Sequence, residues 1–178
     1  MNVFISGGCK NGKSYHAQCL ARRQAEESGA PLYYIATMIP HDEEDHARIR
    51  RHLAERDGWG FTTLECGRNL LSLLQDPQVD PSGVFLLDSV TALLSNEMFD
   101  EEGHYDPEAA KRVRDQLLTF AAGTGSTVFV SDYIYSDACD YDTTVEAYRR
   151  GLAYADRALA AVCDRVIEIS GGMEEFWK

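Results

Sequence analysis

Lys13 and Ser14 end the octapeptide Gly7-Gly8-Cys9-Lys10-Asn11-Gly12-Lys13-Ser14, which fits the pattern G-x-x-x-x-G-K-[ST]. The apolar run Asn2-Val3-Phe4-Ile5-Ser6 before it reads as a short buried strand, and a helical pattern follows at once. In that setting the loop's backbone N–H groups and the positive end of the next helix can cradle phosphate oxygens. Lys13 is then a point charge for the β- and γ-phosphates, and Ser14 a ligand for Mg²⁺. The competing reading is a glycine-rich left-handed turn that precedes a helix. The full motif at a strand–helix junction favours a nucleoside triphosphate site.

Two further places carry chemistry. Val84-Phe85-Leu86-Leu87 ends in Asp88, a carboxylate at the end of an apolar strand. Alone, such an Asp is as often a helix N-cap. Paired with a Lys-Ser phosphate loop, it is a candidate Mg²⁺ ligand. The segment from Asp45 to Arg56 would bring Arg48, Arg51, His52, Glu55 and Arg56 together through three- and four-residue spacings on a helix. Spacing alone favours a solvated, ion-paired face. The sharper alternative makes His52 a nucleophile on phosphorus, flanked by cations that stabilise departing phosphates.

The elements that must position these residues alternate along the chain. Strands are expected at residues 2–6, 32–37, 62–64, 84–88, 127–131 and 165–169. Helices are expected at 14–28, 42–57, 68–75, 89–99, 107–122 and about 142–162, with Gly29 as a C-terminal cap of the first. Near-continuous apolar strands separated by helices predict a mostly parallel sheet covered on both faces. The fold class is α/β, one P-loop NTPase-like domain over residues 1–178. Ligands of such sheets bind at the carboxyl ends of the strands. The phosphate loop, Thr37, Asp88 and Ser131 all fall at such ends.

Composition narrows the function classes. The chain has 178 residues, 44% hydrophobic and 26% charged, which describes a globular domain rather than a disordered one. The formal net charge of −12 repels a polynucleotide backbone, so nucleic acid is not an expected partner. No apolar run approaches the roughly 18 residues of a membrane span. The N-terminus shows no secretory signal, and a cytoplasmic protein is expected. The cysteines (Cys9, Cys19, Cys66, Cys139, Cys163) are odd in number without C-x-x-C spacing, which predicts free thiols. The five histidines show no metal-binding spacing.

The order and spacing of several segments resemble the bifunctional adenosylcobinamide kinase / adenosylcobinamide-phosphate guanylyltransferase family of cobalamin biosynthesis. The segments are the loop near the N-terminus, Tyr34-Ile35-Ala36-Thr37, Arg48-Ile49-Arg50-Arg51-His52, Trp59, Thr63-Leu64-Glu65, Leu86-Leu87-Asp88-Ser89-Val90-Thr91 and Leu94-Ser95-Asn96-Glu97-Met98-Phe99. The resemblance implies an enzyme that phosphorylates adenosylcobinamide and then transfers GMP from GTP to the product through a guanylylated histidine. That histidine falls at His52, with Lys13 as its catalytic companion. The resemblance places nucleotide contacts at Gly7, Gly8, Cys9, Lys10, Asn11, Gly12, Lys13 and Ser14. It adds Ala36, Thr37 and Met38, then Leu53, Ala54, Glu55 and Arg56, and finally Glu65 and Asp88. It implies GTP and ATP as substrates, Mg²⁺ held by Ser14 and Asp88, a corrinoid substrate and a homotrimer. Glu65 is a candidate acceptor for guanine or ribose groups, and Arg48 and Arg56 are candidate phosphate clamps.

The chain departs from the family in three places. Lys10-Asn11 stands where the family commonly has Arg-Ser, so a charge is kept and bidentate geometry is lost. Ser131-Asp132-Tyr133-Ile134 stands for Ser-Asn-Glu-Val. Asp132 is one position early, and strand alternation is expected to turn it to the other face. Gly171-Gly172-Met173 replaces Gly-Ile-Pro. Two other functional readings are a P-loop small-molecule kinase without guanylyl transfer and a nucleotide-responsive binding protein without turnover.

Overall fold

The computed structural model describes residues 1–40, 42–100 and 102–178, and within them the side chains of Arg48, His52 and Glu55 lie outside the description. The elements run in the order β1 (Val3–Gly7), α1 (Lys13–Ser28), β2 (Leu32–Ala36), α2 (Glu43–Glu55), β3 (Thr62–Glu65), a 3-10 helix (Leu70–Gln75) and β4 (Val84–Asp88). They continue with α3 (Val90–Met98), α4 (Ala109–Gly123), β5 (Ser126–Asp132), α5 (Thr143–Val162), β6 (Arg165–Ser170) and β7 (Met173–Phe176).

Among the described residues one sheet forms, in the order β3-β2-β4-β5-β1-β6-β7. Every neighbouring pair is parallel except β6 and β7. The strands β2, β4 and β5 are almost wholly buried, which explains their unbroken apolar sequences. α1 covers one face, where Ala17, Leu20 and Ala21 meet Val3, Ile5, Leu86 and Val130. The other face lies under α3, α4 and α5, where Phe85 stacks on Tyr33 at 4.9 Å and meets Phe120 edge-on at 5.3 Å. Each such fully buried side chain contributes about 1.5–3 kcal/mol.

Three sequence expectations change. The helix read at 68–75 is a 3-10 helix at Leu70–Gln75. Asn69, with φ of 51°, enters it from the left-handed region. Asp76 leaves it extended, as a residue before proline prefers, so six residues are left for the helix. The helix read from residue 107 starts at Ala109, because Asp106 first forms a turn whose carboxylate accepts from the Glu108 N–H at 2.9 Å. An additional strand, β7, closes the sheet. Gly171 and Gly172 have φ of 58° and 78°, the conformation of a two-residue hairpin turn that L side chains avoid. The Gly-Gly pair directly after an apolar strand was the available signal for this hairpin.

Candidate functional site

The loop between β1 and α1 is held from behind. A Cβ at Gly7 would collide with the Ile169 carbonyl and the Asn11 side chain, and its φ of 154° is itself poorly open to other residues. The Asn11 side-chain amide donates to that same carbonyl, tying the loop to the end of β6. Lys13, buried to 6% exposure, bends back over the loop and donates to the Gly8 carbonyl at 2.6 Å. Its Nζ also pairs with the Asp132 carboxylate at 2.6 Å.

On the other side of the cleft Arg56, at the C-terminal cap of α2, is buried to 6% exposure. Its guanidinium carbon lies 3.4 Å from the centroid of the Tyr34 ring, a stacked cation–π arrangement. Its Nε and Nη1 are buried with no hydrogen-bond partner among the described residues. A buried guanidinium with unspent donors is costly unless an anion completes it. The Tyr34 hydroxyl donates to Asp88 Oδ2 at 2.9 Å. Burial, then the charge of Asp88, raises the Tyr34 phenol well above its ordinary value, so it stays a proton donor.

These groups line one cleft of about 470 Å³. Cys9, Lys10, Asn11, Gly12, Lys13, Ser14, Ala36, Met38, Arg56 and Asp88, each named from the sequence, border it. Tyr15, Tyr34, Ile49, Arg51, Ser89, Ala92, Val130 and Asp132 complete the wall. Gly7 and Gly8 form the loop behind this wall. Leu53 and Ala54 are exposed on α2, and Glu65 is exposed at the end of β3. Thr37 is fully buried, and its hydroxyl accepts from the Ser89 N–H at 2.7 Å and donates to the Ser89 carbonyl at 2.9 Å. Its side chain therefore locks the end of β2 to the start of α3. His52, Glu55 and Arg48 belong to α2 by backbone, and their side chains lie outside the described residues. The five cysteines are unpaired.

For a divalent cation the fit is favourable. Ser14 and Asp88 share the cleft and offer a hydroxyl and a carboxylate, the hard oxygen donors that Mg²⁺ prefers. Asp88 spends one oxygen on Tyr34, and the other carries no hydrogen bond among the described residues.

The expected position of Asp132 requires correction. Alternation does separate it from Tyr133, whose hydroxyl donates to Glu168 at 2.9 Å. The face that Asp132 takes, however, is the one carrying the phosphate loop. Sequence reasoning also missed Tyr34 as the stacking surface for Arg56, because the contact joins residues 22 positions apart. A third feature lies on the opposite face of β5. Asp156 of α5, 2% exposed, accepts from the Ser131 and Tyr135 hydroxyls, each at 3.0 Å. Burial raises its carboxyl to about 7, opposed in part by those two hydrogen bonds.

Comparison with known proteins bears on the family of the chain. A sequence model described as "Cobinamide kinase / cobinamide phosphate guanyltransferase" matches residues 3–175. The "Bifunctional adenosylcobalamin biosynthesis protein CobU" of Salmonella typhimurium is 35% identical, over 97% of each chain. The "Bifunctional adenosylcobalamin biosynthesis protein CobP" of Pseudomonas aeruginosa is 29% identical, over 97% of this chain and 95% of its own. Among solved structures, an ATPase domain superposes with a TM-score of 0.52 at 11% identity, over 94% of this chain and 68% of its own, which supports the P-loop fold alone. With the family model spanning nearly every residue from β1 to β7, the chain belongs to the cobinamide kinase / cobinamide phosphate guanyltransferase family.

Proposed function

We propose that this chain phosphorylates adenosylcobinamide and then transfers GMP from GTP to adenosylcobinamide phosphate, giving adenosylcobinamide-GDP and pyrophosphate. Family membership supports both halves. The observation that carries the reading is the cleft itself, where Lys13 and the buried guanidinium of Arg56, with Nε and Nη1 unpartnered among the described residues, face a strand-end carboxylate, Asp88. Two cations converging on a glycine-rich loop are what a triphosphate needs.

In the proposed cycle Lys13 exchanges Asp132 for phosphate oxygens, and Arg56 spends its free donors on the same anion. His52, one helical turn before Arg56, attacks the α-phosphorus of GTP through a neutral imidazole nitrogen. The bond to the bridging oxygen breaks, and pyrophosphate leaves with the electron pair. The phosphate of adenosylcobinamide phosphate then attacks the phosphoramidate and frees the imidazole. Ser14 and Asp88 would hold Mg²⁺, which supplies charge neutralisation to the phosphates when bound. Glu65 is proposed to select the guanine or ribose of GTP. Leu53, Ala54 and Glu55 would border the nucleotide, and ATP or GTP would serve as donor in the kinase step. No helix among the described residues is long and apolar enough to cross a membrane. A cytoplasmic location and a homotrimeric assembly complete the reading.

The test is incubation with GTP labelled at the α-phosphate. Acid-labile, alkali-stable label on the wild type and none on His52→Ala is the expected result. An unlabelled wild-type protein that still phosphorylates adenosylcobinamide would leave a kinase without guanylyl transfer.

A further inference from the structure

The register of the sheet sets two carboxylates side by side above the loop. Asp88 faces Val130 across β4 and β5, and Gly7 faces Asp132 across β1 and β5. Side chains alternate along a strand, so Val130 and Asp132 share the face that carries α1, whereas Ser131 turns to the opposite face and Asp156. Asp132 therefore stands on the same side as Asp88, one strand over and one side-chain repeat farther toward the mouth.

The two carboxylates are not equivalent. Asp88 is tied to the Tyr34 hydroxyl at 2.9 Å. Among the described residues, the Asp132 carboxylate is tied to a cation of the site instead. Its carboxylate pairs with Lys13 Nζ at 2.6 Å, and its own N–H donates to Thr91 Oγ1 at 2.9 Å. Lys13 is 6% exposed and Asp132 32%, so the pair has a buried end and a wet end. The amine placed to engage the terminal phosphates thus pairs with Asp132. A phosphate cannot replace a carboxylate as partner of Lys13 without leaving that carboxylate unpaired beside it. Two anions at that distance repel, so Asp132 cannot be a phosphate ligand. An unpaired carboxylate next to the terminal phosphoryl group, open to solvent, is placed to take a proton from an incoming hydroxyl.

We propose that Asp132 is the general base of the phosphoryl-transfer half-reaction, an inference that rests on the function proposed above. The acceptor hydroxyl gives its proton to the Asp132 carboxylate as its oxygen bonds to the γ-phosphorus. The bond from the γ-phosphorus to the β–γ bridging oxygen breaks, and the electron pair leaves with the nucleoside diphosphate. Because Lys13 holds Asp132 until phosphate draws it away, the base is released only when the donor is seated.

The experiment measures the two half-reactions separately, with adenosylcobinamide for one and supplied adenosylcobinamide phosphate for the other. In Asp132→Asn, kcat for phosphorylation is expected to fall roughly a hundredfold to ten-thousandfold. KM for the nucleotide should stay the same or drop, because Lys13 no longer has a competing anion. Guanylyl transfer should fall by less than tenfold. Asp132→Glu, which keeps a carboxylate, should phosphorylate at least tenfold faster than Asp132→Asn. Phosphorylation by Asp132→Asn within threefold of wild type overturns the assignment. So does a parallel fall in both half-reactions, which would make Asp132 a nucleotide-binding residue, and so do equal rates in the Asn and Glu variants. A wild-type protein that makes no phosphate ester overturns the proposed kinase function itself, a result distinct from failure of the base alone.

Discussion

α1 and α2 each follow a sheet strand and each contribute to the wall of the cleft, yet they are held by different physics. α1 buries Ala17, Leu20, Ala21 and Ala25 on the sheet, an apolar stripe of the usual kind for a helix on a core. None of the described residues of α2 is buried, and its Leu53 is 45% exposed. Its two ends are closed in different ways. Asp42 caps the N-terminus by accepting from the Asp45 N–H at 2.8 Å, and Arg56 at the other end lies over Tyr34. The loop next to α1 is thus preformed by packing. Among the described residues, the segment that carries position 52 meets the sheet through a stacked arginine whose Nε and Nη1 have no hydrogen-bond partner. An enzyme that attacks phosphorus with a side chain on such a helix can couple nucleotide binding to placement of that side chain.

The largest expected effect tests the anchored region, through the buried Asp156 beneath β5. Its carboxyl keeps its proton up to about pH 7 in the folded chain, against 3.8 when unfolded. This group's stabilising contribution is therefore fully present below the unfolded value and is lost as pH rises toward 7. Asp156→Asn has no proton to lose. Between pH 4 and pH 8 the stability of that variant should gain on the wild type by up to about 4 kcal/mol. Urea unfolding at both pH values checks this, and a gap that stays constant with pH would mean that the carboxyl ionises freely inside the fold.

Next in size is Gly7→Ala. The new methyl group must displace the Ile169 carbonyl or the Asn11 side chain in a region packed on both sides. A loss of about 2–3 kcal/mol in stability is expected, with failure to bind GTP in calorimetry. Full nucleotide affinity in this variant would show that the loop is not preformed by its seat against β6.

Arg56→Ala addresses the other side of the comparison. Loss of charge-assisted hydrogen bonds should weaken GTP binding by about 1–2 kcal/mol, roughly fivefold to thirtyfold in Kd. Arg56→Lys should recover little, because an ammonium cannot lie flat on Tyr34 while presenting two donors. Amide exchange at Ala47 and Ile49 should quicken in Arg56→Ala, while Ala21 and Ala25 in α1 keep their protection. Equal changes in the two helices would contradict the difference in how they are held.

The same contrast explains what the sequence disclosed. The loop, α1 and the strand ends are local: strand, glycines, Lys-Ser and an apolar helical stripe stand within the first 28 residues. Asp88 was legible because four apolar residues precede it. The stacking of Arg56 on Tyr34 was not, because nothing in the spacing of two residues on a helix and a strand tells which ring a guanidinium will cover. Asp132 was misjudged for a related reason. Alternation gives the two faces of β5, and only the register with β1 tells which of them holds the loop. Asp156 left no signal at all. An aspartate on a long amphipathic helix reads as a solvated residue until Ser131 and Tyr135 close over it.

The smallest expected effect is the sharpest discriminator, because it applies one chemistry to two helices. Asp42 caps α2 and Asp142 caps α5, where it accepts from the Thr144 and Val145 N–H groups, each at 2.9 Å. Replacing either by Ala removes a cap worth about 1 kcal/mol to its helix. α5 buries Leu152, Ala155 and Leu159 in the main core, so it unfolds with the domain. Asp142→Ala should therefore lower the global midpoint by a few degrees. Asp42→Ala should leave that midpoint almost unchanged, because none of the described residues of α2 is buried. It should instead speed exchange within α2 by about fivefold, the factor that 1 kcal/mol gives for a local opening. Calorimetry and exchange on the two variants separate the cases. A global loss of the same size from Asp42→Ala would mean that α2 is as much a part of the core as α5, and the cleft would then have two fixed walls rather than one.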